Sequence, residues 1–287
     1  MFRPETGTIE KLSDRTIEKV GLAMKRLLVS GLSVLALFLS SIQPVSADQA
    51  KVQLVGLGDS YSTGQGLPGT SPDCLRNSAE AFPAQLAATL QLTADLQACA
   101  GATAETIQAT QLEALSSQTR VVTLTAGGND VKIFDFIAKC ISEDCSGEAL
   151  ETALHRIATE MPRSLTQLYK EIGKRVPANA RVLVGGYPLL MTPLPTPQVN
   201  SWCSAFSPQE RVAGSFVALW LNHYIAKAVR GLNDPRFTFV SALSQDFLGN
   251  ELCGTRPAYF FDQNGASPFH PNELGIKAYV AAFGRAL

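Results

Sequence analysis

The sequence is short of the residues on which several common chemistries depend. It has three histidines and two tryptophans in 287 residues, and its net charge is −1. Without a basic field there is nothing to draw in a nucleic acid backbone, and no long run of one charge marks a solvated tail. No C-x-x-C pair accompanied by matching histidines occurs, which argues against a zinc site. No internal repeat is visible, and no apolar run reaches the roughly 20 residues that a membrane-spanning helix needs. What the chain does have is 46% hydrophobic residues, enough for one substantial core and better suited to one α/β domain than to two small ones.

The most apolar segment is Leu27 to Ile42, preceded by Lys25 and Arg26 and followed by Pro44 and the small residues Val45-Ser46-Ala47. A basic start, a short apolar stretch and small residues before a cut describe a secretory signal peptide. Serines interrupt the run, so export with cleavage near Ala47 is the reading and a stable membrane anchor is the alternative set aside. Residues 1–23 are polar and mixed in charge, an odd leader, and Met24 is a second candidate start. The domain reading is therefore an extension plus signal peptide over 1–47 and one domain over 48–287. All six cysteines lie downstream of the cut. An even count in an exported chain points to three disulfides.

Strand and helix patterns alternate along the rest. Val52 to Leu57, Leu96 to Ala100, Val121 to Thr125, Arg181 to Gly185 and Phe237 to Val240 read as strands. Ala79 to Leu92, Thr103 to Leu115, a long stretch from Gly147 to Arg175, Pro208 to Leu232 and Asn272 to Leu287 read as helices, the last capped by Asn272. Such alternation predicts a mainly parallel, about five-stranded sheet with helices on both faces. Ligands of these sheets sit outside the carboxyl ends of the strands. The segment from Pro188 to Pro208 has no period and reads as a loop that shapes the site.

The informative residues lie just after strands. Ser60, in Gly58-Asp59-Ser60, leaves the first strand in position to act as a nucleophile, although Asp59 or Ser60 could equally be a plain helix cap. Gly101 follows the second strand. Gly127-Gly128-Asn129-Asp130 follows the third, and an Asn amide beside backbone N–H groups can stabilise an oxyanion; alone it is also an ordinary turn. His155 and His223 fall inside helices with no motif around them and read as surface or structural histidines. His270 stands in a loop between two prolines, a better place for a positioned base.

These four pieces, in this order and context, resemble the SGNH-hydrolase superfamily, the GDSL lipases and esterases. The resemblance runs from Val52 to the C-terminus. It implies a three-layer α/β/α sandwich of flavodoxin-like kind and a serine esterase without cofactor or metal. Ser60 would attack, His270 would be the base, and the N–H groups of Ser60 and Gly101 with the Asn129 side chain would form the oxyanion hole. Six cysteines in an exported chain resemble the secreted bacterial lipase branch. The family places an Asp three residues before the histidine; this chain has Ser267. Either a backbone carbonyl at Ser267 orients the imidazole, as in some secreted members, or Asp262 reaches in. The dyad with a carbonyl is preferred.

Sequential disulfides are expected, Cys74–Cys99, Cys140–Cys145 and Cys203–Cys253, each stapling a site loop. Leu67, Leu189, Leu190, Met191, Leu194, Trp202 and Phe206 offer apolar surface for an acyl chain, or simply pack their loops. The expected substrate is a small-molecule or lipid ester, with no nucleic acid partner and a monomeric enzyme. The alternatives are a carbohydrate O-acetyl esterase and a non-catalytic secreted binding protein on the same fold.

Overall fold

The computed structural model describes residues 52–193, 203, 206–261 and 265–287. The leader reading over 1–47 lies outside the described residues. Five strands form one sheet: β1 (Leu54–Gly58), β2 (Ala94–Leu96), β3 (Val121–Thr125), β4 (Arg181–Gly185) and β5 (Phe237–Val240). Their order is β2-β1-β3-β4-β5 and every pairing is parallel. All five residues of β1 and of β3 are buried, as strands covered on both faces require. This explains why they read as continuous apolar or β-branched runs rather than as alternating ones.

Helices follow the strands. They are α1 (Ser60–Thr63), α2 (Phe82–Thr89), α3 (Ala104–Thr110), α4 (Ile133–Ser142), α5 (Glu148–Thr159), α6 (Met161–Arg175), α7 (Pro208–Gly231), α8 (Leu243–Asp246) and α9 (Glu273–Arg285). Helix α2 packs on α9, while α3, α5, α6 and α7 pack among themselves. The fully buried Phe82 of α2 and Phe283 of α9 meet with ring centroids 4.6 Å apart.

Three elements differ from the sequence reading. The second strand is Ala94–Leu96 rather than Leu96 to Ala100: past Leu96 both Gln97 and Ala98 N–H donate to the one Gly56 carbonyl, which breaks the regular ladder, and the chain then turns at Gly101 (φ +79°). The long helix to Arg175 is two helices, broken at Glu160, and Pro162 opens the second at a position where its missing N–H costs nothing. Helix α4 had no counterpart in the sequence reading. Its N-cap, Lys132, is left-handed (φ 55°) and supplies no side-chain cap, so the usual start signal is absent.

Three disulfides join Cys74 to Cys99, Cys140 to Cys145 and Cys203 to Cys253. Among the described residues no helix is long and apolar enough to cross a membrane.

Candidate active site

The carboxyl end of β1 is built so that only glycine fits. Gly58 has φ +131°, and a Cβ there would stand 2.5 Å from the Thr125 carbonyl oxygen of β3. Gln111 holds it from the other side, accepting from Gly58 N–H (2.8 Å) and donating to its carbonyl (2.9 Å). The next residue, Asp59, is the N-cap of α1 and is buried. Its carboxylate accepts from Tyr61 N–H at 3.0 Å, from the Thr125 hydroxyl at 2.8 Å and from the Tyr187 hydroxyl. Burial raises its pKa from 3.8 to about 6, against the hydrogen bonds from Tyr187 and Thr125. Ser60 is then the first residue of α1, so its N–H is among those that a helix leaves without an internal partner.

His270 reaches this serine from the far end of the chain. Its Nε2 is 2.8 Å from Ser60 Oγ, and its Nδ1 is 2.9 Å from the Pro268 carbonyl oxygen. A carbonyl only accepts, so Nδ1 carries the proton and the Nε2 lone pair faces the serine hydroxyl. The orienting group is thus a backbone carbonyl, but one residue later than expected. The Ser267 carbonyl takes the His270 backbone N–H (3.2 Å), and the Ser267 hydroxyl accepts from Gln65 Nε2 (2.6 Å). Asp262 lies outside the described residues. Burial lowers the His270 pKa from 6.5 to about 4, partly opposed by the Pro268 and Ser267 carbonyls. The ring of Phe134, from α4, stacks on the imidazole (5.2 Å, 13°) and Tyr61 approaches it at 5.3 Å.

The segment carrying His270 is pinned to its neighbours. Phe261 N–H donates to the His270 carbonyl, and Phe269 N–H donates to that of Phe261, both at 2.9 Å. Asn272 caps α9, accepting from Leu274 and Gly275 N–H, and its amide donates to the carbonyls of Ala258 (2.8 Å) and Phe260 (3.1 Å).

The loop after β3 closes the third side. Asn129 Nδ2 donates to the Ala102 carbonyl at 2.9 Å, which ties it to the turn at Gly101 and leaves its second N–H for another acceptor. Gly128 N–H donates to the Tyr187 hydroxyl (3.1 Å), so one tyrosine bridges this loop to Asp59. Asp130 is a brace. It accepts from Ala104 N–H and the Ser164 hydroxyl, and burial raises its pKa. His155 and His223 are exposed on α5 and α7, away from this constellation. Sequence reasoning missed Gln111, Thr125, Tyr187 and Phe134. Thr125 and Tyr187 stand at or just beyond strand ends, where the sheet rule looks; Gln111 and Phe134 carry no local signal.

Residues 57–278 match the GDSL-like lipase/acylhydrolase family model. The chain belongs to that family. A curated lipase of Streptomyces coelicolor, Lipase 1, is 32% identical over 270 residues, covering 91% of this chain and 95% of its own length. The crystal structure of phospholipase A1 from Streptomyces albidoflavus matches with a TM-score of 0.74 and 26% identity, over 83% of this chain and all of that one. The extracellular lipase of Streptomyces rimosus matches with a TM-score of 0.72 and 28% identity, over 82% of this chain and all of that one. The five-stranded parallel sheet with flanking helices is the fold of these GDSL-family hydrolases, as the resemblance implied. The chain is accordingly a carboxylic ester hydrolase, a lipase or esterase of the GDSL family. Neither a carbohydrate acetyl esterase nor a non-catalytic binding protein is favoured by these relatives.

Proposed function

We propose that the protein hydrolyses fatty-acyl esters through an acyl-enzyme on Ser60. The observation that carries this is the relay from Ser60 Oγ to His270 Nε2 and from Nδ1 to the Pro268 carbonyl. His270 takes the serine proton as Oγ attacks the ester carbon, then gives it to the departing alcohol. Water repeats the two steps in reverse roles to free the acid. The tetrahedral oxyanion faces the N–H groups of Ser60 and Gly101 and the free N–H of Asn129 Nδ2. The chemistry proposed here uses no cofactor or metal.

A narrow apolar slot supports a fatty-acyl substrate. It is lined by Tyr61, Phe134, Ile137, Leu190, Met191 and Ala218, among others. Tyr61 and Phe134 are also the two rings against His270, so the slot begins beside the imidazole. Leu190 and Met191 are the members of the expected apolar set that line it. Leu67 and Phe206 are buried outside its lining, Leu189 is half-buried, and Leu194 and Trp202 fall outside the described residues. We further place the enzyme outside the cell, as a monomeric single domain after a leader removed near Ala47. Three disulfides, the leader-like segment and the extracellular relative support the location outside the cell.

The test is hydrolysis of a p-nitrophenyl ester series from acetate to palmitate by the wild type and Ser60→Ala. Rates that peak beyond the short chains, and a loss of about 10⁴-fold or more in Ser60→Ala with secretion intact, are expected. Activity confined to acetate would remove the acyl-slot assignment. Retention of more than about a tenth of activity would remove Ser60 as nucleophile.

A further inference from the structure

Helix α7 is apolar on two opposite faces, and only one of them is covered. Between Arg211 and His223 it carries no charged residue. At 100° per residue, Gly214, Ala218 and Leu221 share a face, and these line the slot beside the candidate site. Val212, Phe216 and Leu219 fall on the opposite face, where they are 52%, 44% and 50% exposed. A helix that is apolar all round is normally covered on every side, and a contiguous exposed apolar patch marks a contact surface.

The rest of this outer face says what the contact is. Trp220 stacks on Phe216 (5.9 Å) and on His223 (5.6 Å), and Tyr224 lies against both Trp220 and His223. Lys227 follows, its Nζ 5.2 Å from the Tyr224 ring, and Arg230 is exposed one turn on. The only acid of the helix, Glu210, is buried and caps the first turn through Ser207 N–H. The helix face therefore runs from aliphatic to aromatic to cationic, with no exposed carboxylate of its own. A second copy of this chain docking here would bring cations with no acid to meet them. Anionic lipid headgroups above an acyl layer supply both halves of the complement: apolar depth for Val212, Phe216 and Leu219, and negative charge for Lys227 and Arg230.

We infer that the outer face of α7 docks the enzyme on an anionic phospholipid surface, with the acyl slot on the reverse side of the same helix. The inference rests on the lipid-ester reading for its purpose, while the binding itself is separable from turnover.

The experiment is co-sedimentation of the intact protein with vesicles of phosphatidylglycerol mixed with phosphatidylcholine, against vesicles of phosphatidylcholine alone. Wild type and Ser60→Ala should bind the anionic vesicles equally, and about tenfold or more tighter than the neutral ones. The double variant Phe216→Asp with Leu219→Asp should weaken binding by about tenfold or more, yet hydrolyse a dissolved short-chain ester within about twofold of wild type. A second pair, Lys227→Glu with Arg230→Glu, should erase the preference for anionic vesicles. All four side chains are solvent-facing or at the rim, and circular dichroism confirms folding. Vesicle binding that neither pair alters overturns the inference. So does a wild-type dimer that Phe216→Asp with Leu219→Asp splits, since the occupant is then a second copy.

Discussion

Around Ser60, one carboxylate gathers three donors: Asp59 accepts from Tyr61 N–H, the Thr125 hydroxyl and the Tyr187 hydroxyl, which reach it from α1, β3 and the loop after β4. Around His270, the groups holding the ring are a carbonyl two residues away in the same loop and the face of Phe134. In this chain the carboxylate organises the backbone of the proposed nucleophile, and the tautomer of the proposed base is fixed by a carbonyl of its own loop. A carbonyl fixes the tautomer as well as an aspartate does, but it adds less to the stability of the charged imidazole. The low pKa of His270, about 4, follows from burial of the ring, which the hydrogen bonds to the Pro268 and Ser267 carbonyls only partly oppose. The serine side is thus organised through one buried carboxylate, whereas on the histidine side the tautomer is set within the loop and the ring is held by Phe134 and Tyr61 from distant elements.

Apart from loss of Ser60 itself, the largest change is expected from breaking the braced side at Asn129. Its amide links the loop after β3 to the Gly101 turn, and its second N–H is the proposed oxyanion donor. Asn129→Ala should lower kcat by about 10²–10³-fold, the usual effect of losing one oxyanion donor, with KM changed much less. Steady-state kinetics on one soluble ester decide it. A loss confined to KM would move Asn129 from the oxyanion to substrate binding.

The two sides also titrate in opposite senses. His270 in the folded protein titrates near 4 instead of 6.5, so as pH falls from 6.5 the unfolded chain takes up the proton first and stability is lost. Asp59 titrates near 6 instead of 3.8, so between those values the folded protein takes up the proton first and stability is gained as pH falls. Each is worth about 3 kcal/mol at 1.36 kcal/mol per unit, and they largely cancel. Asp59→Asn removes the gain and should uncover the loss. The variant's urea-unfolding free energy, measured at pH 6.5 and pH 4, should fall by about 2 kcal/mol more than that of wild type across the same interval, which does not span the whole shift. Parallel pH curves for the two proteins would show that the opposition is not there.

The smallest effect is expected at Ser267, where the family pattern has its aspartate. The Ser267 side chain faces Gln65, and the ring is aimed by the Pro268 carbonyl. Ser267→Ala should keep most activity and cost about 1 kcal/mol of stability, the size of one hydrogen bond. A fall in kcat of tenfold or more, with folding unchanged, would mean that the Ser267 hydroxyl takes part in orienting the base.

The same division explains what could be read from the residues alone. Strands β1, β3 and β4 were legible because burial on both faces leaves continuous apolar runs, and the edge strand β5 because Phe237 to Val240 is aromatic and β-branched. Ser60, Gly101, Asn129 and His270 stood out because each follows a strand end or sits between prolines. Tyr187 and Gln111 were invisible: their role is a contact between residues 128 and 53 positions apart, and no local pattern encodes that. The orienting carbonyl was misplaced by one residue because Phe269 is left-handed (φ 65°), a turn that its side chain gives no reason to expect. Helix α4, which supplies Phe134, begins without a cap and so began without a signal.

Asn272 spends every hydrogen of its amide and its oxygen on neighbours: two N–H groups at the start of α9, and two carbonyls of the strand-like segment before it. The histidine two residues upstream is therefore mounted on a lever, the 13-residue helix α9, rather than on a free loop. That helix is itself anchored on α2, where the rings of Phe82 and Phe283 meet 4.6 Å apart, so a change in this distant aromatic contact would be transmitted to the position of the imidazole.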